Sequence, residues 1–179
     1  SAADAGSAVD AGTAVGAGTV WKAWQEISAA APAAQTEHWT EVLARLLADM
    51  DPTDLTAPGL VAWQVLIARH QAAGAGAAEA AARREVLERF ADSIDVAAER
   101  RALAQCLGDR AGEPLAALAE LQGLLAVGWT DDAANAAMAL ADATGGAADL
   151  DEFLQAVAES TESPVARAAQ QMQLANRAA

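Results

Sequence analysis

The sequence is short of the residues that cross-link chains, build sheets or carry positive charge. One cysteine, Cys106, stands among 179 residues, so no intrachain disulfide can form and the redox compartment is left open. Its expected role is that of a small buried apolar residue on a helix. Tyrosine is missing, phenylalanine occurs twice, and no run alternates apolar with polar residues, which argues against β-structure. Basic residues are scarce: 11 lysines and arginines face 25 aspartates and glutamates, for a formal net charge of -14. That balance repels nucleic-acid phosphates and anionic headgroups, so neither nucleic acid nor a membrane is an expected partner. No apolar stretch reaches the ~20 residues that cross a bilayer, because Gln64, Arg69, His70 and Gln71 interrupt the most hydrophobic segment.

What is plentiful is alanine, the best helix former, whose small side chain lets helix backbones approach closely. An all-α fold follows. After the first two residues the chain repeats ADAGSA, VDAGTA and VGAGTV with glycines in register, and residues 1–18 read as a low-complexity linker or extension. Residues 19–179 read as one helical domain. Trp21, Trp24 and Ile27 mark a first helix, and Thr36 is the expected N-cap of a second that carries Trp39, Val42, Leu43, Leu46, Leu47 and Met50 at helical period. The central helix, Leu60 to Ala73, has almost no polar face and is expected to be enclosed on several sides. Gly74 ends it. In the next helix Ala82, Val86, Leu87 and Phe90 share a face, and Glu79, Arg83, Glu85 and Arg89 lie away from it.

Asp95 caps a helix expected to close at Gly108, with Val96, Leu103 and Leu107 inward. Pro114 opens one with Leu115, Leu118, Leu121, Leu124 and Leu125 that stops at Gly128. Thr130 caps the next, with Trp129 stapled against its first turn and Ala134, Ala137, Met138 and Ala141 on its core face. Asp149 and Glu152 form a capping box for a helix with Leu150, Phe153, Leu154 and Val157. Ser163-Pro164 opens the last, with Val165, Ala168, Ala169 and Met172 inward.

The first helices of successive pairs start near Leu60, Val96, Asp131 and Val165, roughly 34 to 36 residues apart, a period typical of two-helix repeats. The expected architecture is an α-solenoid of stacked antiparallel helix pairs with the last helix as cap, the alternative being an antiparallel helical bundle. Period and the residues Ala62-Trp63, Leu66 and Gly74 resemble the tetratricopeptide repeat. Ile67, His70, Glu79 and Arg83 stand where that family carries a small residue, an aromatic, an alanine and an aromatic; one extra turn residue moves the last two positions to Ala80 and Arg84. The resemblance implies a concave surface lined by the first helix of each pair, which here carries Arg100 and Arg101.

Catalytic signatures are missing. Asp49 to Asp54 lacks the glycine and glutamate of a calcium loop and follows a helix rather than a strand. Asp131 and Asp132 are first-turn acids that the helix dipole favours. His38 and His70 have no ligand at metal spacing, and Lys22 lies in no phosphate loop. No cofactor or metal is expected. The sequence instead points to a non-catalytic module that binds a peptide or helix of another protein. Arg100 and Arg101 would meet partner carboxylates, His70 would lie in the groove, and Trp24 would be an exposed anchor. Glu79 with Arg83 and Glu85 with Arg89 read as surface i,i+4 pairs. The alternative is an assembly subunit or dedicated chaperone that uses one apolar helical face.

Overall fold

The computed structural model of the chain describes residues 17–30, 36–49 and 57–178. Among these residues it is all-helical, with nine α-helices: α1 Ala17–Ala30, α2 Thr36–Ala48, α3 Ala57–Ala72, α4 Gly76–Arg89, α5 Val96–Cys106, α6 Pro114–Val127, α7 Asp131–Thr144, α8 Ala147–Ser160 and α9 Pro164–Ala178. None of the described helices is long and apolar enough to cross a membrane. Met50, the acidic turn beyond Asp49 and all of the low-complexity start except Ala17 and Gly18 lie outside the described residues. The chain divides into two compact units, Ser1–Leu66 and Ile67–Ala179.

In the first unit α1 packs on α2. Trp21 and Trp24 stack with ring centroids 5.2 Å apart, and the Trp24 indole N–H donates to the Trp39 carbonyl at 3.3 Å. Leu43 and Leu47 are fully buried, whereas Leu46 is partly exposed. Thr36 is already helical, one position inside its expected cap. α3, which runs from this unit into the next, differs from its expectation. Gly59, Ala62, Trp63, Leu66 and Ile67 are buried at i, i+3, i+4, i+7 and i+8, but Val61 is exposed and Leu60 and Val65 are half-buried. A helix with almost no polar face therefore buries one stripe rather than its whole circumference.

In the second unit each helix from α4 to α9 packs on the next, with a further contact from α6 to α8. Local chemistry sets the turns. Asp95 accepts from the Ala98 N–H at 2.9 Å and Thr130 from the Ala133 N–H at 3.4 Å, both as expected. Gly74 adopts φ +67, and the Ala75 N–H reaches the His70 carbonyl at 2.9 Å, which closes α3 in a Schellman turn. α8 begins at Ala147 with Gly146 as N-cap, so Asp149 lies inside the first turn and the expected capping box does not form.

Nor does Gly108 end a helix. After Cys106 the backbone widens into a π-helical turn, Leu107–Ala111, and stops at Gly112 with φ +70. The turn is pressed against the start of α4, where a Cβ on Gly76 would overlap the backbone carbonyl of Arg110. Among the described residues two clusters fill the interior of this unit. Ala80, Leu103, Cys106, Leu107 and Ala117 form one. The larger gathers the α6 leucines 118, 121, 124 and 125, the α7 face of Ala134, Ala137, Met138 and Ala141, and Leu150 and Leu154 of α8. Trp129 packs against it, as a staple should. Leu115, expected inward, is 68% exposed.

The last helix also packs differently. Ala168, Ala169 and Met172 are exposed, whereas Gln170 is buried and Leu174 packs on the larger cluster. The Gln170 side chain takes the inward place because the Thr161 hydroxyl meets it at 2.9 Å, satisfying a polar group that burial would otherwise penalise.

Replacing Gly76 with alanine should destabilise the fold by about 2–3 kcal/mol, since backbone rather than a flexible side chain stands in the way. Gly128, with nothing within 4 Å of a Cβ, should accept alanine within about 0.5 kcal/mol. Urea denaturation of both variants checks the contrast.

Candidate functional site

Among the described residues the densest grouping of ionisable side chains lies where α4, α5 and the π-helical turn meet. Glu79, near the start of α4, has 0% exposure. Arg110 projects from the π-helical turn and grips it with a two-pronged fork, Nε to Oε2 at 2.9 Å and Nη2 to Oε1 at 2.7 Å. Arg83, one turn further along α4, donates to Oε1 at 3.0 Å and to Glu99 of α5 at 2.6 Å. Two carboxylates and two guanidiniums thus form a closed neutral chain. The sequence expectation of a surface pair is corrected: Glu79 turns inward because Arg110, 31 residues away in sequence, completes its pairing there.

Burial alone would push the Glu79 carboxyl up, but the hydrogen bonds and charges of Arg110 and Arg83 outweigh it and hold the group below its ordinary value. Burial and the neighbouring Glu79 raise the Cys106 thiol, so the thiol is protonated at neutral pH. It donates to the Gly76 carbonyl at 3.3 Å, and its expected buried place on a helix is met. Burial lowers His70, with Glu79 acting in the opposite sense, leaving a neutral imidazole. Glu79 has both oxygens engaged and no surface of its own, so the cluster clamps two helices and the π-helical turn together. Among the described residues no group of three or more histidine, cysteine or acidic side chains is placed to hold a metal ion.

The expected partner-binding residues are dispersed. Trp24 is only 5% exposed, stacked and hydrogen-bonded as above, so it is not the exposed anchor. His70 is half-buried near the end of α3. Arg100 and Arg101 leave α5 on different sides. Arg100 pairs with Glu120 of α6 at 3.0 Å and lines a shallow depression with Arg84, Leu87 and Glu88. Arg101 lies in a groove of about 280 Å³ between α5 and α7, beside Ala104, Asp109, Asp132, Ala133 and Leu140. Its one hydrogen bond among the described residues is to the Ala97 carbonyl at 3.3 Å. Arg83, Arg84, Arg89, Arg100 and Arg110 all pair with carboxylates.

A larger groove, about 490 Å³, opens where α6 ends, α7 begins, α8 ends and α9 begins. Its lining includes Val127, Trp129, Val157, Thr161, Ala169 and Gln170. Sequence reasoning missed Val127 and Gln170. The signal for Val127 was an apolar residue at a helix end that continues no buried stripe. None existed for Gln170, whose polarity marks it as exposed.

No protein-family model, curated protein or solved structure matches the chain.

Replacing Glu79 with glutamine should cost about 3–5 kcal/mol at pH 7, because two arginines lose a buried counter-charge. A carboxylate held below its unfolded value contributes stability above that value and loses it as pH falls through the folded one. The gap between wild type and variant should therefore be full at neutral pH and narrow below the ordinary glutamate value of 4.5, as measured by denaturation across pH. The Cys106 thiol should react with a disulfide reagent only on unfolding, so its rate should follow the unfolded fraction in urea rather than the thiolate fraction.

Proposed function

We propose that the chain is a non-catalytic helical-repeat adaptor, built as an α-solenoid of tetratricopeptide type, that holds a peptide or helix of a partner protein between α5 and α7. Sequential packing from α4 to α9 supports a stack of pairs rather than a bundle closed on a common axis. The starts of α5, α7 and α9, at residues 96, 131 and 164, follow at intervals of 35 and 33 residues. In such a stack α5 and α7 are the first helices of neighbouring pairs, and the groove between them opens on the concave side.

The observation that carries the reading is Arg101, whose guanidinium has no carboxylate partner among the described residues although Asp109 and Asp132 line the same groove. An exposed arginine beside an apolar trough of Ala104, Ala133 and Leu140 suits a segment that places a small apolar side chain in the trough and a carboxylate on the fork. Arg100 is already neutralised by Glu120 and supports α6 instead.

Affinity capture from the native extract should retain a partner on the wild-type chain, lose it with Arg101→Glu and keep it with Arg100→Glu. Loss with neither variant, or with Arg100→Glu alone, overturns the assignment. Light scattering at micromolar concentration should give a monomer; a stable dimer blocked by Arg101→Glu would show instead that the groove is a self-assembly surface.

A further inference from the structure

We propose that the groove at the α6–α7 and α8–α9 links is a second docking surface, for a basic amphipathic segment of a partner protein. It lies apart from the Arg101 groove and goes beyond the adaptor reading. Three observations converge on it. The lining is mixed: Leu125, Val127, Trp129 and Val157 supply its apolar side beside the polar Asp131, Ser160 and Thr161, with Trp129 half-buried and Val127 93% exposed. A large aliphatic residue that continues no core stripe costs solubility unless something covers it.

The second observation is Gln170. Its side chain is 5% exposed and lines the groove. One end of its amide meets the Thr161 hydroxyl at 2.9 Å; the other has no partner among the described residues. A primary amide engaged at one end and open at the other can complete its pairing with a peptide group of an incoming chain.

The third is charge. Between Trp129 and Arg177 the sequence carries eight acids and two arginines. Arg167 engages no carboxylate; it donates to the carbonyl of the lining residue Thr161 at 3.1 and 2.5 Å. Asp131 lies in the lining, and the exposed Glu159 and Glu162 bracket Ser160 and Thr161, which also line the groove. No arginine of the described residues forms an ion pair with these three acids. Acids beside a partly apolar wall select apolar side chains flanked by lysine or arginine. A second copy of this chain is a poor occupant, since pairing would bring two such sets of acids together. An anionic lipid surface is excluded by the same sign of charge.

The test is calorimetric titration of the full chain with two synthetic peptides of about 18 residues, one of leucine and lysine and one of leucine and glutamate, both at helical spacing. The lysine peptide should bind at one site and the glutamate peptide should not. Val127→Glu decides between a groove and bulk attraction: it adds a negative charge, so non-specific attraction predicts tighter binding, whereas docking predicts about tenfold weaker binding or less affinity still. Glu159→Lys with Glu162→Lys should also weaken binding about tenfold, while the remote exposed pair Glu88→Lys with Asp92→Lys should change it by no more than about twofold. Arg101→Glu should leave it unaltered, which separates failure here from failure of the other groove. Unchanged or tighter binding by Val127→Glu, or equal losses from near and remote charge reversal, overturns the proposal. So does a dimer that Val127→Glu dissociates, which would make the occupant a second copy.

Discussion

A carboxylate with no exposure to water must be neutralised in place or not be there, and the second unit is arranged around meeting that requirement for Glu79. The Arg110 fork and the Arg83 side chain approach it from two elements, and Glu99 balances the remaining charge from a third. The geometry requires the backbone of the π-helical turn to touch the start of α4, which only a residue without a side chain permits, and Gly76 is that residue. A buried pairing of this kind is weak evidence for stability in itself, since an apolar replacement of the same volume serves as well. Its value is positional: few other arrangements of α4, α5 and the π-helical turn leave all four charged groups partnered.

Away from that cluster the unit is held by small residues. α7 presents almost nothing but alanine and one methionine to α6 and α8, so contact depends on backbone proximity rather than on long side chains. Such an interface has little room to rearrange. Leucines on α6 supply most of the apolar bulk that the alanines lack. This division of labour leaves the large side chains concentrated near one helix and the grooves bordered by short ones, which is why both hollows lie beside α7.

The sequence was most readable where the rule is local. Asp95 and Thr130 cap as their types suggest, and the α7 face follows helical period because nothing competes with it. Readings failed where a distant residue decided the outcome. Glu79 and Arg83 have the spacing of a surface pair, and nothing within ten residues shows that Arg110 will turn the carboxylate inward. Gly108 has the appearance of a stop, yet in a π-helical turn it is a passing residue. Apolarity pointed to Ala168, Ala169 and Met172 as the inner face of α9, but Thr161 offered a hydroxyl that drew Gln170 inward, and the helix rotated with it. The binding surfaces were less legible still: Arg101 differs from Arg100 only in which neighbour it meets, and that depends on where α6 and α7 lie.

The π-helical turn also has a bearing on how the chain tolerates changes of length. A turn of this kind holds one residue more than a regular helix requires, and each residue of an α-helix advances the chain by about 100°. Deleting one residue between Leu107 and Ala111 would convert the segment into ordinary helix at little local cost. It would also swing Arg110 off Glu79 and rotate the direction in which α6 departs, carrying α7, α8 and α9 with it. The extra residue thus sets the phase between α5 and all that follows, and the position of every later groove wall depends on its being kept.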